Sequence, residues 1–456
     1  MIWIIDAIAR ETILFGAIGF LIGGIDDLLV DAAYLLTWVR TKLTRRSEPP
    51  LIDCGPPMAV FIPAWDESGV IGAMLRATLQ RYAYRHYRLY VGTYPNDPAT
   101  TAIVAGMAAA DARVRLVVNA GPGPTTKADC LNSLWRALLR DEATGEPAGA
   151  IVLHDAEDVV HPDELRVFAT CLTRYDAVQL PVLPLTDAGS PLISGHYCDE
   201  FAEAHGKSLI VRQAVGAALP FAGVGCAISR DMLGRIADAR GGDPFDESSL
   251  TEDYELGLTV ARVGGRTRFV RRRDASGALI AVRAYFPNSL TSAVRQKARW
   301  MTGIALAGWD RTGWARGRGP GENWMRMRDR RATLAIPVLA IAYLALLAWG
   351  ASLIGHALTG RPVPLPDGVM AWLLAVNAGL MSWRLALRMA FTGSAYGWRQ
   401  ALLSLPRVFA ANLVSLLAAR RALATYWPTL RGERPRWDKT THRFPDEIAP
   451  VGASAR

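Results

Sequence analysis

The feature that most constrains the fold of this chain is a short apolar run that ends directly in acids. Residues 150–153 read Ala-Ile-Val-Leu, and residues 154–158 read His-Asp-Ala-Glu-Asp. Four consecutive apolar residues bounded by polar ones are typical of a buried β-strand. Carboxylates at a strand end offer the oxygen ligands that Mg²⁺ and Mn²⁺ prefer. The pattern therefore predicts a sheet with a metal site at its edge.

Alternating strand and helix patterns surround this run. Short apolar segments at 58–62, 88–94 and 114–118 are separated by helical patterns at 68–81, 98–110 and 127–140. Such alternation predicts an α/β fold with a doubly wound, mostly parallel sheet and helices on both of its faces. Ligands gather at the carboxyl ends of the strands in such sheets. We therefore expect residues 63–67, 96–97 and 154–158 to converge on one crevice.

Two further stretches carry residues suited to catalysis. Residues 251–253 read Thr-Glu-Asp, and a carboxylate there can act as a general base toward a hydroxyl. Gln296, Arg299 and Trp300 are spaced i, i+3 and i+4, which places them on one face of a helix. Arginine clamps charged oxygens such as those of a diphosphate, and tryptophan offers a flat face to a sugar ring. Together with the acidic cluster, these groups favour sugar transfer from a nucleotide donor.

Long apolar segments predict a membrane protein. Segments 12–38, 332–356 and 369–390 are each long and apolar enough to span a bilayer. Basic clusters flank them, and the chain has 51 Lys+Arg against 42 Asp+Glu. By the positive-inside rule these clusters lie in the cytosol, which predicts a multi-pass protein of the bacterial inner membrane with a cytoplasmic catalytic domain. Because topology explains the basic excess, we expect no nucleic-acid partner.

Two apolar stretches depart from a simple span. Asp26, Asp27 and Asp31 interrupt the second half of the first one, so we expect them at the cytosolic interface or paired with another helix. Segment 401–419 contains a proline, an arginine and an asparagine, and polar groups are costly at membrane depth. An interfacial or re-entrant helix is predicted there rather than a fourth span.

These patterns divide the chain into five parts. They are an N-terminal transmembrane anchor at 1–40, a cytosolic catalytic domain at 41–310, a basic juxtamembrane linker at 311–331, transmembrane and interfacial helices at 332–425, and a cytosolic tail at 426–456. The five cysteines are scattered and form no CxxC pair. Their spacing argues against a disulfide framework or a zinc site, and for a reducing compartment.

The ordered motifs resemble those of the family 2 glycosyltransferases. In chain order they are Pro63-Ala64-Trp65-Asp66-Glu67-Ser68, Tyr94-Pro95-Asn96-Asp97-Pro98, His154-Asp155-Ala156-Glu157-Asp158, Leu250-Thr251-Glu252-Asp253-Tyr254-Glu255-Leu256-Gly257, Gln296-Lys297-Ala298-Arg299-Trp300 and Trp437-Asp438-Lys439-Thr440. Within the family, the chain is similar to the membrane-embedded synthases related to cellulose and hyaluronan synthase. It most resembles the glycosyltransferase domain of the bacteriophage adsorption protein B group. The resemblance implies a GT-A fold and an inverting transferase that elongates an exopolysaccharide from a UDP-sugar, with an N-acetylhexosamine favoured.

The resemblance also implies how the nucleotide is bound. Asp97 would contact the uridine, and the loop around Pro63 and Glu67 would wall the base. Asn96 stands where the family commonly has the first of two acids, so backbone contacts gain weight in base binding. Lys127 matches a family lysine near the nucleotide; a solvated lysine at a helix start is the alternative.

The acids acquire roles from the same resemblance. Asp155 and Glu157 stand at the Asp-x-Asp metal site, where bound Mg²⁺ or Mn²⁺ would neutralise the leaving diphosphate. Asp158 follows at once, so either Glu157 or Asp158 is the second ligand. Asp253 is the candidate general base, and Glu252 beside it is assigned to support and substrate binding.

Partners follow from the resemblance too. They are a nucleotide-sugar donor, a growing glycan acceptor, membrane lipid, an outer-membrane export protein and a separate cyclic-di-GMP-binding regulator. Arg326 and Arg330 have a spacing that some cyclic-di-GMP sites use, but a juxtamembrane topogenic cluster explains them better. Two alternative functions stay open. One is non-processive transfer of a sugar to a lipid carrier, and the other is a non-catalytic membrane scaffold or phage-entry component.

Overall fold

A computed structural model describes residues 2–44, 48–432 and 442–445 of the chain. The strands are β1 (Met58–Pro63), β2 (Tyr87–Thr93), β3 (Val114–Val118), β4 (Ala150–Leu153), β5 (Ala177–Gln179), β6 (Cys226–Ser229) and β7 (Thr267–Phe269). The helices are α1 (Ile2–Thr44), α2 (Ile71–Arg81), α3 (Pro98–Ala110), α4 (Lys127–Glu142), α5 (Glu164–Cys171), α6 (Ile193–Glu203), α7 (Leu209–Ala214), α8 (Arg230–Arg240), α9 (Glu252–Arg262), α10 (Leu290–Trp300), α11 (Ala307–Thr312), α12 (Pro320–Arg330), α13 (Ala332–Thr359), α14 (Gly368–Tyr396) and α15 (Trp398–Thr429). Two π-helical turns, Ala204–Ser208 and Met301–Leu306, interrupt the helical runs after α6 and α10.

The sheet has the strand order β3-β2-β1-β4-β6-β5-β7. Strands β1 to β4 run parallel, and β5 is parallel to β7. Strand β6 is antiparallel to both of its neighbours, β4 and β5. The predicted mostly parallel sheet is therefore confirmed, and each of the four strands read from the sequence lies within one residue of its observed bounds.

Helices cover both faces of the sheet, as predicted. On one face, Met74 of α2 and Phe168 of α5 pack against β1 and β2. On the other face, Trp135 of α4 and Leu233 of α8 pack against β1 and β4. All six residues of β1 are buried, since the strand lies at the centre of the sheet between these two cores. The carboxyl ends of β1 and β4 therefore open at the same edge of a rigid core.

Four helices, α1, α13, α14 and α15, are long and apolar enough to cross a membrane by length and composition. Three spans were predicted, and the difference lies in α15. It is one continuous helix that extends beyond the predicted 401–419 at both ends. Its arginine, Arg407, is 1% exposed and is held by the Pro191 carbonyl at 2.7 Å and by Asp199 Oδ1 at 3.0 Å. The charge that argued against a span is thus neutralised inside the protein.

The aspartates of α1 pair with later helices, which confirms the pairing expected from the sequence. Asp27 lies 2.5 Å from Arg331 and 3.0 Å from Arg328, and Asp26 pairs with Arg328 as well. Asp31 lies 2.5 Å from Lys207. These pairs fasten the N-terminal helix to α12, to Arg331 just after it and to the π-helical turn after α6.

Arg326 and Arg330 of α12 are occupied within the protein. The Arg326 guanidinium donates to Glu322 Oε1 at 2.7 Å and to the Gly313 carbonyl at 2.9 Å. Arg330 lies over the Trp309 ring, 3.3 Å from its centroid. Both side chains are buried, so this pair offers no open arginine face to a cyclic dinucleotide.

Candidate active site

A cavity of about 400 Å³ opens at the carboxyl ends of β1 and β4. Eleven of the twelve residues predicted for the site line it: Pro63, Glu67, Lys127, Asp155, Glu157, Asp158, Glu252, Asp253, Gln296, Arg299 and Trp300. The cavity therefore joins residues of 63–67 and 154–158, which the parallel topology predicted to converge, with residues of 251–253 and 296–300. Residues 96–97, predicted to converge there as well, do not line it. Ala222 and Val224, from the glycine-rich stretch before β6, complete the wall between them.

Asp97 is the predicted residue that does not line the cavity. Its Oδ1 accepts from the Thr100 backbone N–H at 3.2 Å, which caps α3. Its Oδ2 accepts from the Asp66 backbone N–H at 2.6 Å, where Asp66 has a φ of 52°. Asp97 thus supports the loop that presents Pro63 and Glu67, and its contact with uridine stays a prediction.

A buried histidine holds the acidic turn from below. His154 is 0% exposed, and its ring nitrogens lie 2.8 Å from Asp158 Oδ2 and 2.7 Å from Glu164 Oε1. Burial lowers the pKa of His154, but the Glu164 and Asp158 carboxylates outweigh burial and raise that pKa to about 10. Asp158 Oδ2 also accepts from the Asp155 backbone N–H at 3.0 Å. Asp158 is thus occupied in shaping the turn, whereas Glu157 Oε2 accepts no hydrogen bond from the described residues.

Lys127 bridges the acidic turn and the start of α9. Its Nζ lies 2.5 Å from Asp155 Oδ1 and 3.9 Å from Glu252 Oε1. Burial raises the pKa of Asp155, but attraction to Lys127 outweighs it and lowers that pKa below the ordinary value. The pKa of Lys127 is raised in turn, because Asp155 and Glu252 outweigh the effect of burial. Lys127 is thus a fixed cation at the centre of the cavity, and not a solvated lysine.

The candidate base stands in the first turn of α9. Asp253 Oδ1 accepts from the Tyr254 backbone N–H at 2.8 Å. A Cβ on Gly223, which has a φ of +78°, would lie 2.5 Å from Asp253 Oδ2, so glycine keeps that oxygen clear. Burial raises the pKa of Asp253, and burial together with the charge of Asp253 raises the pKa of Glu252 to about 7. A carboxylate of raised pKa is the better proton acceptor near neutral pH.

Residues that sequence reasoning missed hold this loop from behind. Arg311 Nε donates to Glu255 Oε1 at 3.0 Å, and Ser249 Oγ donates to the same oxygen at 2.7 Å. The Thr251 backbone N–H donates to Ser249 Oγ at 3.2 Å. No sequence signal joins Ser249 to Arg311, because the two residues lie on separate elements and neither contributes to a motif.

The predicted face of α10 points into the cavity. Arg299 forms no hydrogen bond or ion pair with any residue in 2–44, 48–432 or 442–445, although its charge lowers the pKa of Asp155. Gln296 Oε1 is buried without a hydrogen-bond partner in the same part of the chain. Trp300 stands edge-on to Tyr197, with ring centroids 6.0 Å apart, and is part of an aromatic group with Phe286. This face of α10 therefore presents the Arg299 guanidinium, which has no partner among the described residues, beside the aromatic group that contains Trp300.

The tail returns to the cavity after the membrane helices. His442 Nδ1 lies 2.8 Å from Glu67 Oε1 and 3.3 Å from Glu157 Oε2. Arg443 lies 3.4 Å from Asp187 and over the Tyr285 ring. Sequence reasoning missed both residues. The available signal was the motif at 437–440 just before them, which itself lies outside the described residues.

The residues fit a divalent metal. Burial, followed by repulsion from Asp155 and Glu67, raises the pKa of Glu157 to about 8 against the attraction of His442. The Glu157 Oε2 atom is buried and accepts no hydrogen bond within the described residues. The ligand atoms of Glu67, Glu157 and His442 all lie within 4.8 Å of one another. Carboxylate oxygens with one imidazole nitrogen suit Mn²⁺ and neighbouring transition metals.

Comparisons with known proteins agree with this geometry. Residues 56–303, more than half of the chain, match the family described as "Glycosyltransferase like family 2". Bacteriophage adsorption protein B of Escherichia coli K12 and bacteriophage N4 adsorption protein B of Escherichia coli O157:H7 are each 35% identical over 482 residues. The match covers 98% of this chain and 64% of each relative, so the chain spans less than two thirds of their length.

A solved structure shares the fold. It is a mannosyltransferase from Pyrobaculum calidifontis in complex with GDP-Man and Mn²⁺. It is 16% identical, its TM-score is 0.50, and the match covers 88% of this chain and 98% of that one. This likeness supports the GT-A-like arrangement of the sheet and its helices. With the family match, the sheet and the cavity, the chain belongs to the family 2 glycosyltransferases, and four helices among its described residues are long and apolar enough to cross a membrane.

Proposed function

We propose that this protein is an inverting, metal-dependent glycosyltransferase of the bacterial inner membrane, with its catalytic domain in the cytoplasm. It transfers sugar from a UDP-sugar, of the N-acetylhexosamine class, to a growing exopolysaccharide. The observation that carries the proposal is one cavity in which two cations, Lys127 and Arg299, face the carboxylate of Asp253. Diphosphate binding and proton acceptance are the two tasks that sugar transfer requires.

The donor diphosphate binds between the two cations. Arg299 has no partner among the described residues, and a guanidinium binds phosphate oxygens in bidentate fashion. Lys127 is held in the cavity by Asp155, which fixes the position of its ammonium group. Pro63, at the end of β1, walls the nucleobase side. These groups place the anomeric carbon toward Asp253.

Asp155 and Glu157 would hold the divalent metal. When bound, a metal neutralises charge on the leaving diphosphate and so lowers the barrier to its departure. Asp155 has a lowered pKa, and Glu157 has an oxygen without a hydrogen-bond partner in the described part of the chain. Both features favour a cation over a proton at this turn.

Proton transfer is the task of Asp253. Its carboxylate accepts the proton of an acceptor hydroxyl while that oxygen attacks the anomeric carbon. The new C–O bond forms on the face opposite the diphosphate, the bond to the diphosphate breaks, and UDP leaves with its electron pair. One displacement therefore inverts the anomeric centre. Trp300 offers the acceptor sugar a stacking surface at the other end of the cavity.

Interactions with an outer-membrane export protein and with a separate cyclic-di-GMP-binding regulator belong to the same proposal. The buried state of Arg326 and Arg330 supports control by a separate protein rather than through this pair. Tight, saturable binding of cyclic-di-GMP by the purified chain would contradict that part of the proposal.

The test uses the purified full chain in lipid nanodiscs with a panel of UDP-sugars, GDP-mannose and either Mg²⁺ or Mn²⁺. Release of UDP from one UDP-N-acetylhexosamine, with a long product on gel filtration, is the expected result. Release of nucleotide with a single sugar on lipid supports the lipid-carrier alternative instead. A chain that releases no nucleotide from any donor would contradict the enzymatic function.

A further inference from the structure

The tail segment that crosses the cavity is fixed at three points. His442 contacts Glu67 and Glu157, Arg443 contacts Asp187, and Phe444 packs against the core on the α2 side of the sheet. The segment follows the last membrane-length helix, which ends at Thr429. It therefore brings an imidazole into a cavity to which Glu67 and Glu157 supply carboxylate oxygens.

The spacing of the three side chains matches what a metal requires. Ligands at right angles around a cation with bonds of about 2.1 Å lie about 3.0 Å apart. His442 Nδ1 lies 2.8 Å from Glu67 Oε1 and 3.3 Å from Glu157 Oε2. Little rearrangement is needed for a cation to enter between these atoms.

The hydrogen bonding of Glu157 also points to a missing ligand at the same place. Glu157 is 9% exposed, and its Oε2 is buried and accepts no hydrogen bond from the described residues. A buried carboxylate oxygen without a hydrogen bond is costly. A metal bound there would remove that cost.

We propose that His442 is a direct ligand of the metal that Asp155 and Glu157 would hold, and that Glu67 binds the same metal. The proposal rests on the proposed metal-dependent transfer and adds to it that the tail completes the metal site. An imidazole ligand favours Mn²⁺ or a later transition metal over Mg²⁺, since Mg²⁺ prefers an all-oxygen set.

The opposing view is that His442 is only a counter-ion of the two glutamates. The two views predict opposite results for His442→Gln. Loss of a ligand should weaken Mn²⁺ binding by at least about tenfold. Removal of a group that only hydrogen-bonds to a metal ligand already lowers metal affinity by about 10–100-fold. Loss of a competing imidazolium would instead strengthen Mn²⁺ binding.

The experiment is a titration of the purified full chain with Mn²⁺ alone, followed by electron paramagnetic resonance. The signal of free Mn²⁺ gives its concentration at each step and hence the affinity. Pulsed spectra report whether a nitrogen atom is bound directly to the metal. The wild type is expected to bind Mn²⁺ with nitrogen coupling, and His442→Gln to lose the coupling and at least tenfold in affinity. His86→Gln, the same change at an exposed histidine that does not line the cavity, is the matched control and should change neither. Unfolding temperatures of all variants check that they fold.

Wild-type Mn²⁺ spectra without nitrogen coupling would overturn the inference, and so would equal or tighter binding by His442→Gln. The wild-type spectrum decides the matter even if that variant fails to fold. Failure of the proposed function is separable, because no sugar is present. Nitrogen-coupled Mn²⁺ in a chain that turns over no nucleotide sugar would leave this inference standing and remove the other.

Discussion

Two acidic clusters of this protein look alike in the sequence but differ in charge balance. The cavity is lined by Glu67, Asp155, Glu157, Asp158, Asp187, Glu252 and Asp253, against Lys127, Arg299, Arg443 and His442. The cluster at α1 comprises Asp26, Asp27, Asp31 and Glu203, against Arg328, Arg331, Arg384 and Lys207. Seven carboxylates face four cationic groups in the cavity, whereas four face four at α1.

The difference separates a working site from a structural one. Each carboxylate at α1 has a basic partner on another element, so the cluster fastens helices together and has no need of a further cation. The cavity has an excess of negative charge, which favours binding of a divalent metal. Burial, together with that charge, raises the pKa of Glu157 and Glu252. An acidic stretch is therefore better judged by its partners than by its composition.

The largest expected effect comes from removing the metal or its ligand in the cavity. Asp155→Ala, or wild type in excess EDTA, should lose at least about a hundredfold in turnover, since a bound metal supplies several kcal/mol. The variant should lose donor binding as well. Nucleotide release and calorimetric titration with the UDP-sugar measure both quantities. Asp243→Asn, a carboxylate that pairs with Arg136 outside the cavity, is the control. Full activity in EDTA would show that the excess charge is not a metal site.

A smaller effect, on stability, is expected at the α1 cluster, in which the carboxylates and the basic groups are equal in number. Arg331→Gln leaves Asp27, which is buried, without the partner that lies 2.5 Å away. Loss of one member of a buried pair should cost about 1–3 kcal/mol of unfolding free energy, reduced because Arg331 is partly exposed. Arg136→Gln at a surface pair should cost less than about 1 kcal/mol. Denaturation of detergent-solubilised protein measures the difference, and Mn²⁺ affinity should not change.

Removal of both charges sharpens the same comparison. Asp27→Asn combined with Arg331→Gln should lose less stability than the sum of the two single losses, because both changes remove the same ion pair. The double variant and both single variants form a cycle that isolates the pair. A double variant that is less stable than the sum of the two single losses would show that the cluster is not a set of pairs.

The smallest effect concerns pH. The pKa of Glu252 is about 7 and that of Asp253 is raised, so the pair takes up a proton as the pH falls through neutrality. A base acts only when it is deprotonated, and turnover should therefore decline below about pH 7. Glu252→Gln removes the neighbouring charge and should move that decline to lower pH, with less than about a tenfold change in the plateau rate. A pH profile of turnover that is the same in both proteins would contradict the coupling.

The sequence predicted what local pattern and parallel topology determine. The helix at 98–110 was placed at its observed bounds, because Asp97 caps it and Pro98 begins it. The meeting of residues 63–67 and 154–158 followed from strand ends that share one edge. The arrangement of the tail did not follow, since the contact between His442 and Glu67 joins residues at opposite ends of the chain. The full length of α15 did not follow either, since the partner of Arg407, Asp199, lies on α6.

The central claim is that sugar transfer takes place in the cavity, where carboxylates outnumber cationic groups, with Asp253 as the general base. Asp253→Asn keeps the size of the side chain and abolishes proton acceptance. The account predicts a turnover number lower by about 10²–10⁴-fold, with affinity for the UDP-sugar and for Mn²⁺ close to that of the wild type. Retention of more than about a tenth of the wild-type rate, or loss of donor affinity in step with turnover, would contradict it.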